Sequence, residues 1–197
     1  MLLPILLSLL GFVAILLVDW QTLRGAGLAG WLAPWLAGAA LLLAAYWLAL
    51  QQPDAGLGLP QGAAPLGWVL AVAGGALLIY SVFIEIPLIQ RRQARAQGAA
   101  MGPRLVTTGT YALSRHPGFL WLLLCALGLI LLWNRVNGLA LLAWWLLLDL
   151  IVILIQDRVI FPRVFPGYAQ YQAVTPMLIP TPSSIRRAWM PHRGERS

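Results

Sequence analysis

Uncharged stretches long enough to cross a membrane constrain this chain more than any other feature. The opening run MLLPILLSLLGFVAILLV carries no charged side chain, and water would tolerate it only if every face were covered. Crossing a hydrocarbon core of ~30 Å takes roughly 20 residues of α-helix, and windows of that kind fall at residues 1–18, 28–50, 66–88, 117–133 and 138–156. Backbone N–H and C=O groups in lipid must be satisfied within the protein, which favours helices. The expected fold is therefore all-α: a polytopic integral membrane protein with about five transmembrane helices. The first run has no basic segment before it and no small-residue cleavage site before Asp19, so it is expected to be a retained helix rather than a signal peptide.

Charge sets the expected orientation. QQPDAGLGLPQGAAP, between the second and third windows, holds no base, whereas QRRQARAQGAAMGPR, before the fourth, holds four Arg. Placing the 91–116 loop in the cytoplasm puts Arg24, Arg91, Arg92, Arg95, Arg104, Arg115, Arg158, Arg163, Arg186, Arg187, Arg193 and Arg196 inside and Arg135 outside. That distribution follows the positive-inside rule. The N-terminus is then outside and the C-terminus cytoplasmic, in an expected bacterial cytoplasmic membrane. This accounts for the net charge of +7 without a nucleic-acid partner. A lone Cys125 inside an apolar run forms no intrachain disulfide or CxxC site, and with only two His, far apart in sequence, no metal site is expected.

Trp20, Trp31, Trp68 and Trp133 fall near helix ends, where indole suits the headgroup layer. Gly67, Ala71 and Gly75 recur at every fourth position of the third helix, as a close-packing face would require. After residue 157, prolines at 162, 166, 176, 180 and 182 rule out one long helix. A short amphipathic helix around residues 167–174, followed by an extended segment, is expected at the cytoplasmic interface. Two acids lie in or near the apolar windows. Asp149 is expected to face the bundle interior, either lining an acceptor tunnel or hydrogen-bonded between helices, and Glu85 to be an interfacial ion-pair partner.

The stretch TGTYALSRHPGFLW, residues 108–121, places Arg, His and Pro together at the mouth of an apolar run. Pro117 suits the first position of a helix, so the fourth helix should start at His116-Pro117. Its first-turn N–H groups, with Arg115 and His116, would attract an anion such as a carboxylate or phosphate. The fifth helix is expected to end at Gln156-Asp157 on the same rim, where carbonyls and a carboxylate favour a cation. A ligand with both charges would suit such a cleft, and S-adenosylmethionine is one candidate. On position alone, Arg115 could equally snorkel to lipid phosphates, and Tyr168 and Tyr171 could be interfacial anchors.

GTYALSRHPGFLW resembles the G-x-Y-x-x-x-R-H-P-x-Y-x-G signature of the isoprenylcysteine carboxyl methyltransferase and phospholipid methyltransferase superfamily. QDRVIFPRVFPGYAQYQAVTPMLIP is similar to the closing segment of the same superfamily, and the two cover roughly residues 102–180. The resemblance implies an S-adenosylmethionine-dependent integral membrane methyltransferase, acting on a lipophilic or small acceptor at the cytoplasmic face. It implies cofactor contacts from Tyr111, Arg115, His116, Pro117 and Asp157, with Tyr168 and Tyr171 near the adenosyl side, and Phe165 and Gly167 match the motif as well. Arg158 would position an anionic acceptor. In such a reaction the acceptor attacks the sulfonium methyl in line, and the protein contributes proximity and electrostatics without a covalent nucleophile.

On this reading residues 1–90 form three N-terminal transmembrane helices, 91–182 the cofactor-binding core and 183–197 a basic tail. The chain departs from the pattern at Phe119, Trp121, Gln156 and Pro166, and Trp121 would narrow the entry of a bulky lipid. Two other readings stand beside the first. One is an NADPH-dependent membrane reductase of the sterol-reductase-like group, and the other is a non-catalytic membrane scaffold.

Overall fold

A computed structural model describes residues 1–23, 28–97 and 104–189. Arg24, Arg193, Arg196 and the tail from residue 190, about which the sequence raised expectations, lie outside the described residues, as do the side chains of Trp20 and Trp31. Two long helices, α1 (Leu2–Leu23) and α2 (Leu28–Leu50), open the chain. α3 (Ala64–Ile79) then runs through a π-helical turn at Tyr80–Glu85 into α4 (Ile86–Gln97). The short α5 (Thr110–Leu113) precedes α6 (Pro117–Trp133) and α7 (Val136–Ile155). A second π-helical turn, Gln156–Ile160, leads into α8 (Phe161–Val164), α9 (Tyr168–Val174) and α10 (Pro182–Trp189).

The described residues are all helix and connecting loop, with one isolated bridge between Gly56 and Arg135. Among the described residues three stretches are long and apolar enough to cross a membrane: Leu32–Leu50, Ala64–Arg95 and Val136–Val164. Leu2–Val18 and Pro117–Trp133 are shorter apolar helices. The 17 residues of α6 reach roughly 26 Å at ~1.5 Å per residue, the short limit for a span. The all-helical, membrane-embedded expectation therefore holds. Leu36, Leu43, Val69 and Val72 stay exposed, as a lipid-facing surface requires, while Phe12, Leu148 and Val152 form a buried core flanked by Leu16, Leu42, Trp144 and Trp145.

Two helix pairs pack closely, α1 with α2 and α3 with α6, and α7 touches α1, α2 and α6. Glycine makes both approaches possible. A Cβ on Gly38 would lie 2.9 Å from the Gly11 carbonyl oxygen. One on Gly128 would strike the Ala71 backbone nitrogen and stand 2.6 Å from the Gly67 oxygen, and one on Gly74 would strike the Cys125 backbone. The packed face of α3 is thus Gly67, Ala71 and Gly74. Gly75, expected from strict four-residue spacing, meets only Cys125 Sγ at 4.0 Å. A 3.6-residue period returns to one face after seven residues rather than eight.

One end of the bundle is closed by the loop between α2 and α3. Asn134, in the left-handed region at φ 49, accepts from Leu59 N through its side chain at 3.1 Å and from Leu57 N through its carbonyl at 3.1 Å. Asp54 caps the start of α7 by accepting from Asn137 N at 2.8 Å. Arg135, the one base assigned to the outer side, donates to the Leu50 carbonyl at 2.7 Å. Trp68 and Trp133 stand exposed at this end. The opposite end carries the Arg-His-Pro segment.

Candidate functional site

The segment that carries Arg115 and His116 is shaped before it reaches any ligand. Gly109 enters α5 at φ 63 and ψ −131, a conformation reserved for glycine. Ser114 then extends the chain, and His116 caps α6 with Pro117 in its first turn, as the missing Pro N–H allows. Residues 114–116 lie along 176–177: Arg115 N donates to the Pro176 carbonyl at 2.9 Å and His116 N to the Met177 carbonyl at 3.2 Å. Ser114 Oγ donates to that same Met177 oxygen at 2.8 Å.

From this anchored backbone the Arg115 guanidinium meets Asp157 as a two-pronged pair, Nε to Oδ1 at 2.8 Å and Nη2 to Oδ2 at 3.0 Å. Its remaining Nη1 donates to the carbonyls of Gln172 at 3.1 Å and Thr175 at 2.7 Å. The carboxylate also accepts from Tyr168 Oη at 2.7 Å on Oδ1 and from Gln172 Nε2 at 3.2 Å on Oδ2. Two donors reach each oxygen. Planar guanidinium and carboxylate favour such a fork geometrically as well as electrostatically.

The site therefore differs from an open cleft with two separate poles. The fifth helix does not stop at Gln156-Asp157 but continues through the π turn into α8, which turns Asp157 inward to 4% exposure. The expected positive and negative poles close on each other. Burial without pairing would cost several kcal/mol per charge, which is the physical reason for the closure.

His116 is the exception to this saturation. It is 7% exposed, its Nε2 stands 3.4 Å from Asp157 Oδ1, and that buried nitrogen has no hydrogen-bond partner. Its ring stacks on Phe161, centroids 5.6 Å apart and planes 11° apart. Phe161, Phe165, Tyr168 and Tyr171 continue the aromatic wall. Tyr168 and Tyr171 are buried, so neither is an interfacial anchor. Burial first, and then the Asp157 carboxylate, hold the Tyr168 phenol above its ordinary ionisation range. Tyr171 Oη donates to the Tyr111 carbonyl at 2.6 Å, tying α9 to α5.

The structure thus gathers Tyr111, Arg115, His116, Pro117, Asp157, Tyr168 and Tyr171 in one region. Arg158 is exposed and takes no part in the network. Pro166 is accommodated because Gly167, at φ 82, still starts α9. The indole Nε1 of Trp121 is buried without a partner, and its backbone lies against Gly74. Asp149 is partly buried on α7. Among the described residues no group of three or more His, Cys, Asp or Glu is placed to hold a metal. Gln172 and Thr175 were missed from the sequence. Glu85 was singled out, since an ionisable residue inside an apolar helix calls for a partner, but the partner is Thr110 rather than a base at the interface.

A helical membrane protein whose Arg-His-Pro segment is locked to an Asp on a neighbouring long helix is the class that fold and site define. The phospholipid methyltransferase family model matches residues 65–165, just over half of the chain, and the protein belongs to that family, within the wider group of isoprenylcysteine carboxyl and phospholipid membrane methyltransferases. The match runs from α3 into the turn after α8, including Glu85, Arg115, His116 and Asp157 but ending before Tyr168 and Tyr171. Neither curated proteins nor solved structures match the chain. Family membership makes this an integral membrane methyltransferase.

Proposed function

We propose that the protein transfers a methyl group from S-adenosylmethionine to a lipophilic or small acceptor at the end of the bundle where Arg115, His116 and Asp157 meet, and that this end faces the cytoplasm. The observation that carries the reading is the buried Nε2 of His116, which makes no hydrogen bond and has only a 3.4 Å contact with Asp157 Oδ1, an oxygen already taken by Arg115 and Tyr168. A buried polar atom without a partner is costly, and a polar cofactor group would satisfy it. The residues present fit the cofactor in that respect. When bound, S-adenosylmethionine supplies the activated methyl.

In this reading His116 contacts the cofactor directly. Arg115 and Asp157, whose hydrogen bonds are already made within the protein, fix His116 and the aromatic wall and add the field of a paired dipole. Tyr111 and Pro117 set the position of the segment, and Tyr168 and Tyr171 form the side nearer the adenosyl group. Arg158, exposed one residue past Asp157, is left to attract an anionic headgroup of the acceptor. The N-terminal helices support this core, and residues 91–182 form it.

His116→Ala is expected to weaken S-adenosylmethionine binding about ten- to a hundredfold, the loss of one charge-assisted hydrogen bond of roughly 1.5–3 kcal/mol. Affinity is measured per folded protein, because the variant also gives up the 3.4 Å contact of Nε2 with Asp157 Oδ1 and the stack on Phe161. Titration of purified protein with labelled cofactor checks this, and parent-like binding by the variant would remove His116 from the site. Preference of the parent for NADPH would favour a reductase, and binding of neither would favour a scaffold.

The orientation rests on the twelve-to-one Arg distribution. Cysteines introduced at Gly62, where an added Cβ meets nothing within 4 Å, and at the exposed Ser183 should react with impermeant maleimide from opposite sides of sealed vesicles. Labelling of both from one side would require withdrawing the odd number of spans.

A further inference from the structure

The two π-helical turns of the long helices each carry a buried carboxylate, and both carboxylates hold the same short segment. Asp157 lies in the turn Gln156–Ile160 and grips Arg115. Glu85 closes the turn Tyr80–Glu85, is 3% exposed, and accepts from Thr110 N at 2.8 Å through Oε1 and from Thr110 Oγ1 through Oε2. A Cβ at Gly109 would collide with Glu85 Oε1, so glycine is required there for closeness as well as for its positive φ. The Tyr111 hydroxyl adds a longer bond, 3.4 Å, to the Ser81 carbonyl in the same turn. An interfacial ion pair, as expected for Glu85, is not what forms.

We infer that Glu85 is a positioning residue for methyl transfer: it fixes the start of the Thr110–His116 segment while Asp157 fixes its end, so that His116 is delivered to the cofactor in one orientation. The inference rests on the reading of this end as the methyl-transfer site. A π turn adds one residue to a helical turn and re-aims the side chains around it, a feature often found at functional sites. Here it brings an acid from an otherwise apolar helix against a backbone N–H and a hydroxyl. Held at one end only, the segment would keep its Asp157 contact but gain freedom at Gly109, whose lack of a side chain imposes nothing.

The test uses the full-length protein in detergent or nanodiscs, with Glu85→Ala and Glu85→Gln. Glutamine can accept from Thr110 N through Oε1 and donate to Thr110 Oγ1 through Nε2, so it should restore the clamp where alanine cannot. Amide exchange of residues 110–116 is expected to quicken about tenfold or more in E85A relative to the parent, without comparable change in α3 and α6, and to return to within about threefold in E85Q. S-adenosylmethionine affinity, measured per folded protein, should fall about tenfold in E85A and recover in E85Q. Unchanged exchange in E85A, a rise shared equally by α3 and α6, failure of E85Q to recover, or a loosened segment that binds cofactor like the parent would each overturn the positioning role. A parent protein that binds no S-adenosylmethionine would sink the methyl-transfer reading, and the exchange data would still decide whether Glu85 clamps the segment.

Discussion

Asp157→Ala is expected to destabilise the protein by about 3–5 kcal/mol, the usual result of removing one partner of a buried ion pair. The variant strands the Arg115 guanidinium, 11% exposed, which keeps only its two Nη1 bonds to the Gln172 and Thr175 carbonyls and leaves three of its five N–H groups unmet. It also deprives Tyr168 Oη of its acceptor and leaves Gln172 Nε2 only the backbone carbonyl of residue 157, which loosens α9 against the π turn. Arg115→Ala should cost nearly as much, because the carboxylate then keeps only neutral donors. The double variant is expected to lose less than the sum of the two, since the second change removes a group already stranded by the first. Unfolding of all three in a common detergent measures the cycle. Additive losses, or an Asp157→Ala variant as stable as its parent, would show that the pair is not the latch between the Arg-His-Pro segment and the α7–α8 helix.

Gly128→Val should be comparably damaging through packing alone. An added Cβ meets the backbone of Ala71 and Gly67 rather than the flexible tip of a side chain, so α3 and α6 must separate. The cost is expected at or above the roughly 3 kcal/mol upper end of ordinary overpacking, with loss of cofactor binding, because α3 leads to Glu85 and α6 begins at Pro117. Gly75→Ala is the control, expected to change stability by no more than about 0.5 kcal/mol. Thermal unfolding of the two variants compares them directly, and equal effects would mean that the close face of α3 has been misassigned.

These two predictions separate what sequence pattern can supply from what it cannot. The start of α6 was legible because a helix beginning at Pro117 depends on Pro geometry and adjacent residues alone. The apolar windows were legible because their length is set by the bilayer. α9 was also foreseen, at Tyr168–Val174, since prolines mark its boundaries. α10 was not: its Pro182 reads as a breaker, yet it serves as a helix start, with Ser184 and Thr181 bonded to each other across the first turn.

The residues that form the site were largely named in advance, but their relationship was not. Arg115 and Asp157 were assigned to opposite poles, and they are instead one pair, separated by 42 positions in the chain. A sequence shows the sign of each charge but not its desolvation, and desolvation is what makes a closed pair preferable to two open poles. Tyr168 and Tyr171 were ambiguous for a similar reason, because an interfacial tyrosine and a buried one have the same pattern until the neighbouring helix is in place.

The amino-acid sequence by itself determined that the chain is helical and embedded in a membrane, and it carried the motif of its family, since hydrophobic length, proline and local motif residues act over one or two helical turns. Only the tertiary structure decided that Gly74 rather than Gly75 faces α6, that Glu85 holds Thr110, and that Asp157 turns inward. Those outcomes depend on helix rotation and on two π turns, which displace later side chains around the axis, and a rotation of that kind is fixed by the packing of distant helices rather than by the residues next to it.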